Sequence, residues 1–214
     1  MNEKVALITG AAKRVGASIA QALHAEHWRV IVHYGHSRDK AEALVADLNN
    51  QRADSACALQ ADLCDLAAIK LLAKAAKDRW GRVDALINNA SCFYPTPLPT
   101  ASIDQWNALF DCNARAPFFL AQQLLETLVA HQGAIINLVD IHAERPIKHH
   151  TIYAMSKAAL IAMTKAFAKD LAPDVRVNGI APGMMLWPDE SSLSEQAREK
   201  FINRIPLKKI GDPA

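Results

Sequence analysis

Short apolar runs punctuate the chain: Val5 to Thr9, Arg29 to Tyr34, Ala56 to Gln60, Ala85 to Asn88, Ala134 to Val139 and Arg176 to Ile180. Runs of this length, rich in valine, isoleucine and leucine, have the character of strands buried on both faces. Between them lie longer alanine-rich stretches with a helical apolar period, such as Ala17 to Glu26 and Lys40 to Asn50. The strand, helix, strand pattern recurs five times. It predicts a parallel sheet with helices on both faces, because right-handed crossovers place them there. The expected fold class is α/β, a doubly wound parallel sheet. No linker, repeat or low-complexity segment interrupts it, so residues 1–214 are expected to form a single domain. The proline-rich piece Phe93 to Pro99 follows a strand and is expected to be a shaped loop rather than a boundary.

Composition narrows the function classes. With 51% hydrophobic and 21% charged residues the chain reads as an ordinary soluble globule with a good core. The formal charge is +2 and the basic residues are dispersed, so neither nucleic acid nor an anionic membrane is an expected partner. No apolar run reaches membrane-spanning length, and the first residues lack a signal-peptide pattern, so a cytoplasmic location is expected. The four cysteines have no metal-binding spacing and are expected to be free thiols. His142, His149 and His150 lack a carboxylate at ligand spacing, so no metal site is expected.

The first strand opens onto Thr9-Gly10-Ala11-Ala12-Lys13-Arg14-Val15-Gly16. Gly10 suits a sharp turn, Gly16 suits close approach of helix, sheet and pyrophosphate, and the free N–H groups of a helix start would face phosphate. The segment is a candidate dinucleotide-phosphate turn, which makes the sheet Rossmann-type. The second strand ends Val32-His33-Tyr34-Gly35-His36-Ser37-Arg38, without the carboxylate that would hold ribose hydroxyls in an NAD-preferring site. Arg14, Ser37 and Arg38, together with His36, instead suit a 2′-phosphate, which favours NADPH over NADH.

Tyr153 and Lys157 stand four residues apart, on one face of a predicted helix, with Asp140 thirteen residues upstream of the tyrosine. A fixed ammonium beside a phenol favours phenolate, so Lys157 is expected to make Tyr153 a better proton donor for a carbonyl or imine reduction.

With these motifs the chain resembles the short-chain dehydrogenase/reductase family from Val5 to about Gly211, in the glycine turn, Asp62-Leu63, Asn88-Asn89-Ala90, Asn113, Tyr153 with Lys157, and Ala181-Pro182-Gly183. The resemblance implies that Asp62 and Leu63 lie near adenine and that Asn88, Ala90, Ser91, Val15, Pro182 and Gly183 line the cofactor. It also implies that Lys157 holds the nicotinamide ribose and Asn113 retains a water chain. Within the family, Asp140 stands where most members have a serine. That aspartate, the Thr9 to Arg14 segment and the stretch from Asn88 to Leu98 resemble the pteridine reductases, including dihydromonapterin and dihydrofolate reductase-like members. The subgroup implies that Phe93 stacks on a pterin, that Ser91 and Arg14 bond its polar edge, and that Leu186 and Trp187 form a flap. A homo-oligomer, dimer or tetramer, is also implied, and the family's C-terminal helix and strand are expected to be lacking from this chain.

The expected activity is NADPH-dependent reduction of a pterin or folate-like small molecule, with Asp140 and Tyr153 managing the proton. Reducing a pterin adds hydride to carbon and a proton to ring nitrogen, so an acid serves it better than a hydroxyl that holds a ketone. Two other readings stay open: a carbonyl reductase acting on a 3-oxoacyl thioester, sugar or quinone, and a non-catalytic NADPH-binding protein.

Overall fold

All six apolar runs form strands: β1 (Val5–Ile8), β2 (Arg29–Tyr34), β3 (Ala56–Gln60), β4 (Ala85–Asn88), β5 (Ala134–Leu138) and β6 (Arg176–Ile180). The computed structural model describes residues 3–185 and 194–212. The strands make one parallel sheet in the order β3-β2-β1-β4-β5-β6. Connecting them are α1 (Arg14–Ala25), α2 (Arg38–Gln51), α3 (Leu66–Trp80), α4 (Ile103–Phe110), α5 (Ala116–Ala130) and α6 (Thr151–Asp170), and α7 (Glu195–Ile202) follows β6. No described helix is long and apolar enough to cross a membrane.

Alternation along each strand builds two cores, since successive side chains leave opposite faces. Val5 and Leu7 of β1 join Leu86 and Ile135 beneath Leu72 of α3 and Leu120 and Leu124 of α5. Ala6 and Ile8 join Val30 and Val32 beneath Ala20 of α1 and Leu44 and Leu48 of α2. The expected coverage is incomplete at β6, where Val177 alone of the five residues is buried. No residue of α7 is buried, so that helix covers little of the sheet.

Local chemistry sets the ends of the elements. Asp65 accepts a hydrogen bond from Ala67 N–H at the start of α3, and Gly81 closes the helix at φ 72°. Ser102 and Gln105 form a reciprocal capping box at the start of α4. The proline-rich segment is a shaped loop: Leu98–Thr100 makes a short 3₁₀ turn, and Tyr94 Oη donates to the Gln105 carbonyl at 3.2 Å. A π-helical turn, Asp111–Arg115, joins α4 to α5 and carries buried Asn113. Such turns often mark functional sites.

The sheet reverses direction of growth between β1 and β4, leaving a crevice at their carboxyl ends. Asp84 anchors this central pair from the other end. Its carboxylate accepts from Val5 N–H at 2.8 Å and from the Arg82 guanidinium at 2.8 and 2.5 Å, while its carbonyl accepts from Ala134 N–H at 2.9 Å. Asp84→Ala strips the buried Val5 N–H and the part-buried Arg82 guanidinium of their acceptor and should destabilise the protein by about 3 kcal/mol. The check is a lowered urea midpoint with an unchanged slope.

Candidate active site

The floor of the crevice is a lock between the turns that follow β1 and β4. Thr9 Oγ1 accepts from the N–H groups of Asn89 and Ala90, each at 3.0 Å. Asn89 Nδ2 returns two bonds, to the carbonyls of Thr9 at 2.8 Å and Gly10 at 3.1 Å. Gly10 takes φ +62°, which favours glycine. A Cβ on Gly16 would lie 2.6 Å from both Gly10 O and Asn89 Nδ2, so only glycine lets α1 start this close to the lock.

A cleft of about 630 Å3 opens above this floor. Gly10, Arg14, Val15 and Gly16 contribute to its wall, with His36 and Ser37 after β2, Asp62 and Leu63 after β3, and Ala90 and Ser91 after β4. Lys13 at the start of α1 makes no side-chain cap, which leaves helix N–H groups available to an anion. The glycine cradle, uncapped helix start and basic rim suit a dinucleotide. Arg38 is placed differently from the other 2′-phosphate candidates: its Nε donates to Glu42 at 2.8 Å on the exposed face of α2. Asn88 lies behind the wall, donating from Nδ2 to Asn137 Oδ1 at 2.8 Å. Pro182 and Gly183 follow β6 and are not part of the cleft wall. Leu186 and Trp187 lie outside the described residues.

Asp140, Tyr153 and Lys157 converge beside the end of β5. Tyr153 Oη donates to Asp140 Oδ2 at 2.5 Å, and Asp140 Oδ1 accepts from His142 N–H at 2.8 Å. Lys157 Nζ, buried on the same helix as the tyrosine, donates to the Leu138 carbonyl at 2.8 Å. Burial pushes the Lys157 ammonium down to about 8, opposed by the Asp140 charge. Burial, followed by the hydrogen bond and charge of Asp140, pushes the Tyr153 phenol well up, and the Ser91 side chain opposes this. In this arrangement burial first, and Asp140 after it, hold the proton on Tyr153, the opposite of the phenolate that Lys157 was expected to favour. Asp140 also borders a second hollow of about 390 Å3, shared with Val177, Gly179, Ile161 and Ala168.

Phe93 is 54% exposed, so it is not a core aromatic. Its ring meets Tyr153 edge-on at 4.7 Å and stacks on His150 at 4.7 Å and 19°. Asn113 clamps the loop that leads to Phe93. Its Oδ1 accepts from Ser91 Oγ at 3.0 Å and Cys92 N–H at 2.9 Å, and its Nδ2 donates to Cys92 O and Ser156 Oγ, each at 3.0 Å. Every donor and acceptor site of that amide is occupied.

Sequence reasoning missed His33, Asn137 and Ser156, whose positions inside a strand or helix gave no chemical signal. His33 has the most consequence for the cleft. Its Nδ1 accepts from Gly10 N–H at 3.1 Å, which leaves Nε2–H to donate to the Ala61 carbonyl at 3.1 Å. One neutral ring thus ties the glycine turn to the segment before Asp62.

A family model described as short chain dehydrogenase matches residues 4–198. Pteridine reductase 1 of Leishmania tarentolae is 38% identical, over 95% of this chain and 83% of its own length. The 3-oxoacyl-(acyl-carrier-protein) reductase FabG of Staphylococcus epidermidis is 33% identical, over 98% and 86%. The 3-oxoacyl-(acyl-carrier-protein) reductase of Synechocystis is 31% identical, over 100% and 85%. The chain belongs to the short-chain dehydrogenase family. It is an NAD(P)-dependent oxidoreductase.

Burial lowers the His33 imidazole from 6.5 to about 4, with the Ala61 carbonyl opposing the shift. Between those values the unfolded chain takes up a proton that the native ring refuses. Stability therefore falls as pH drops from 6.5 towards 4, by up to about 3 kcal/mol for this group. Denaturant midpoints measured across that window should fall less steeply for His33→Asn than for the wild type.

Proposed function

We propose that this enzyme reduces a pterin, of the dihydrobiopterin, dihydromonapterin or dihydrofolate-like class, with NADPH as the reductant. The observation that carries the reading is the 2.5 Å bond from the Tyr153 phenol to the Asp140 carboxylate, with exposed Phe93 lying edge-on to the same phenol. A carboxyl at this point suits protonation of ring nitrogen, and an exposed aromatic face suits a flat heterocycle. The 38% identity to a pteridine reductase over most of both chains supports the same reading.

When bound, the dinucleotide supplies hydride. The Gly10 turn and the start of α1 hold its pyrophosphate, while Asp62 and Leu63 border the adenine. Ser37, His36 and Arg14 favour the 2′-phosphate, and Arg38 reaches it only by leaving Glu42. Lys157 holds the nicotinamide ribose from its buried position. Tyr153 delivers its proton to the substrate and Asp140 supports or replaces it through their shared bond. Phe93 covers one face of the ring, and Ser91 and Arg14 bond its polar edge. Asn113 positions Ser91 and so acts one step removed from the substrate.

A 3-oxoacyl thioester reductase is the second reading, favoured by the 33% identity to FabG. Asp140→Ser separates the two. Consumption of NADPH with a panel of dihydropterins should fall by about 100-fold or more, whereas turnover of a 3-oxoacyl thioester should survive the change. No NADPH oxidation with any pterin by the intact protein would overturn the first reading.

The buried ammonium makes a separate prediction. Because Lys157 is held down to about 8, its charge is lost above that pH. The kcat/KM for the dinucleotide should therefore decline on the alkaline side of about pH 8, approaching tenfold per pH unit. Lys157→Arg should move that limb to higher pH if any activity remains.

A further inference from the structure

Cys64, Cys92 and Cys112 all border the dinucleotide cleft, while Cys57 lies apart on β3. None of the cysteines is in a disulfide, and no group of described residues is arranged to hold a metal ion. Cys92 is partly exposed and Cys112 is buried in the π-helical turn. The two are held together by the neighbour of Cys112: the Asn113 amide grips both N–H and C=O of Cys92, at 2.9 and 3.0 Å. Both residues line the same cleft, and each thiol shifts the other's titration.

We propose that Cys92 and Cys112 are a redox pair, which a hydroperoxide closes to a disulfide in the wall of the dinucleotide cleft. Cys92 is the attacking sulfur and Cys112 the resolving one. Exposure favours this order, and so does charge: the Cys112 thiol and the nearby Lys157 charge favour thiolate at Cys92, while proximity to Cys92 and burial hold the proton on Cys112. Cys57 and Cys64 are both pushed up to about 11 by burial and stay protonated.

The reaction balances in two steps. The Cys92 thiolate attacks the hydroperoxide, the O–O bond breaks, and hydroxide or alkoxide leaves with Cys92 as a sulfenic acid. Cys112 sulfur then attacks Cys92 sulfur, the S–O bond breaks, and the departing hydroxide takes the Cys112 proton to become water. The two thiols lose two electrons in all, and the peroxide gains them. The new bond draws Cys92 against the Asn113 clamp that also bears Ser91, so the oxidised cleft should bind dinucleotide less tightly until a thiol reductant reopens it.

The test treats the full chain with hydrogen peroxide, blocks remaining thiols by alkylation and maps the peptides without reduction. The expected result is one crosslink joining the Cys92 and Cys112 peptides, lighter by two hydrogens, with Cys57 alkylated and dinucleotide binding restored by reductant. In Cys112→Ser, Cys92 should persist as a sulfenic acid that a cyclic 1,3-diketone captures. In Cys92→Ser, Cys112 should stay reduced. A crosslink from Cys92 to Cys64, oxidation of Cys112 in the absence of Cys92, or a wild type whose two thiols remain alkylatable would overturn the proposal. If either variant fails to fold, the wild-type peptide map decides. The mass readout is independent of which substrate the enzyme reduces.

Discussion

The lock between Thr9 and Asn89 is the constraint on which the rest of the site depends. β1 and β4 are neighbours in the sheet but far apart in the chain, and the turns that leave them must diverge to open a crevice. Thr9 Oγ1 accepts two backbone N–H groups from the β4 turn, and Asn89 Nδ2 satisfies two carbonyls of the β1 turn. Buried backbone groups at a diverging pair of strands would otherwise go unpaired, at a cost of about 1–3 kcal/mol each. The same bonds hold Gly10 close to both Ala90 and Gly16, so the cradle and its brace are one structure.

A second tier of polar contacts carries this order outward. His33 ties Gly10 to Ala61, and Asn113 ties the Ser91–Cys92 segment to Ser156 on α6. Ser156 lies in the helix that also carries Tyr153 and Lys157, so the cleft wall and that pair share a support. Electrostatics then divides the labour. Burial weakens the hold of Lys157 on its proton, while burial and Asp140 strengthen that of Tyr153. The result is a neutral phenol bonded to Asp140, close to an ammonium that loses its charge at about pH 8.

Much of this was legible in the residues. All six strands fall where short apolar runs stand, and central strands such as β1 and β4, covered on both faces, leave no polar period to confuse them. The ends differed by a residue at Thr9 and Val139, and at Thr9 the reason is visible: its carbonyl accepts from Asn89 Nδ2 instead of the ladder. Glycine spacing marked the cradle, and the convergence of Asp140, Tyr153 and Lys157 followed from helical period and strand end. Arg38 was legible as a cation but not as a partner of Glu42, since an exposed side chain chooses among neighbours within reach. The incomplete cover of β6 was also invisible to pattern, because helix and strand periods state which faces want burial and not whether anything buries them.

The sequence by itself determined the order of elements, the parallel sheet, the glycine turn after β1 and the placing of Tyr153 and Lys157 on one helix. Each is set by spacing along the chain or by backbone freedom at a glycine. Tertiary structure alone decided the direction in which Tyr153 and Lys157 are perturbed, the role of His33 and the meeting of Cys92 with Cys112. Those depend on burial and on neighbours remote in sequence, and desolvation has no signature in local pattern.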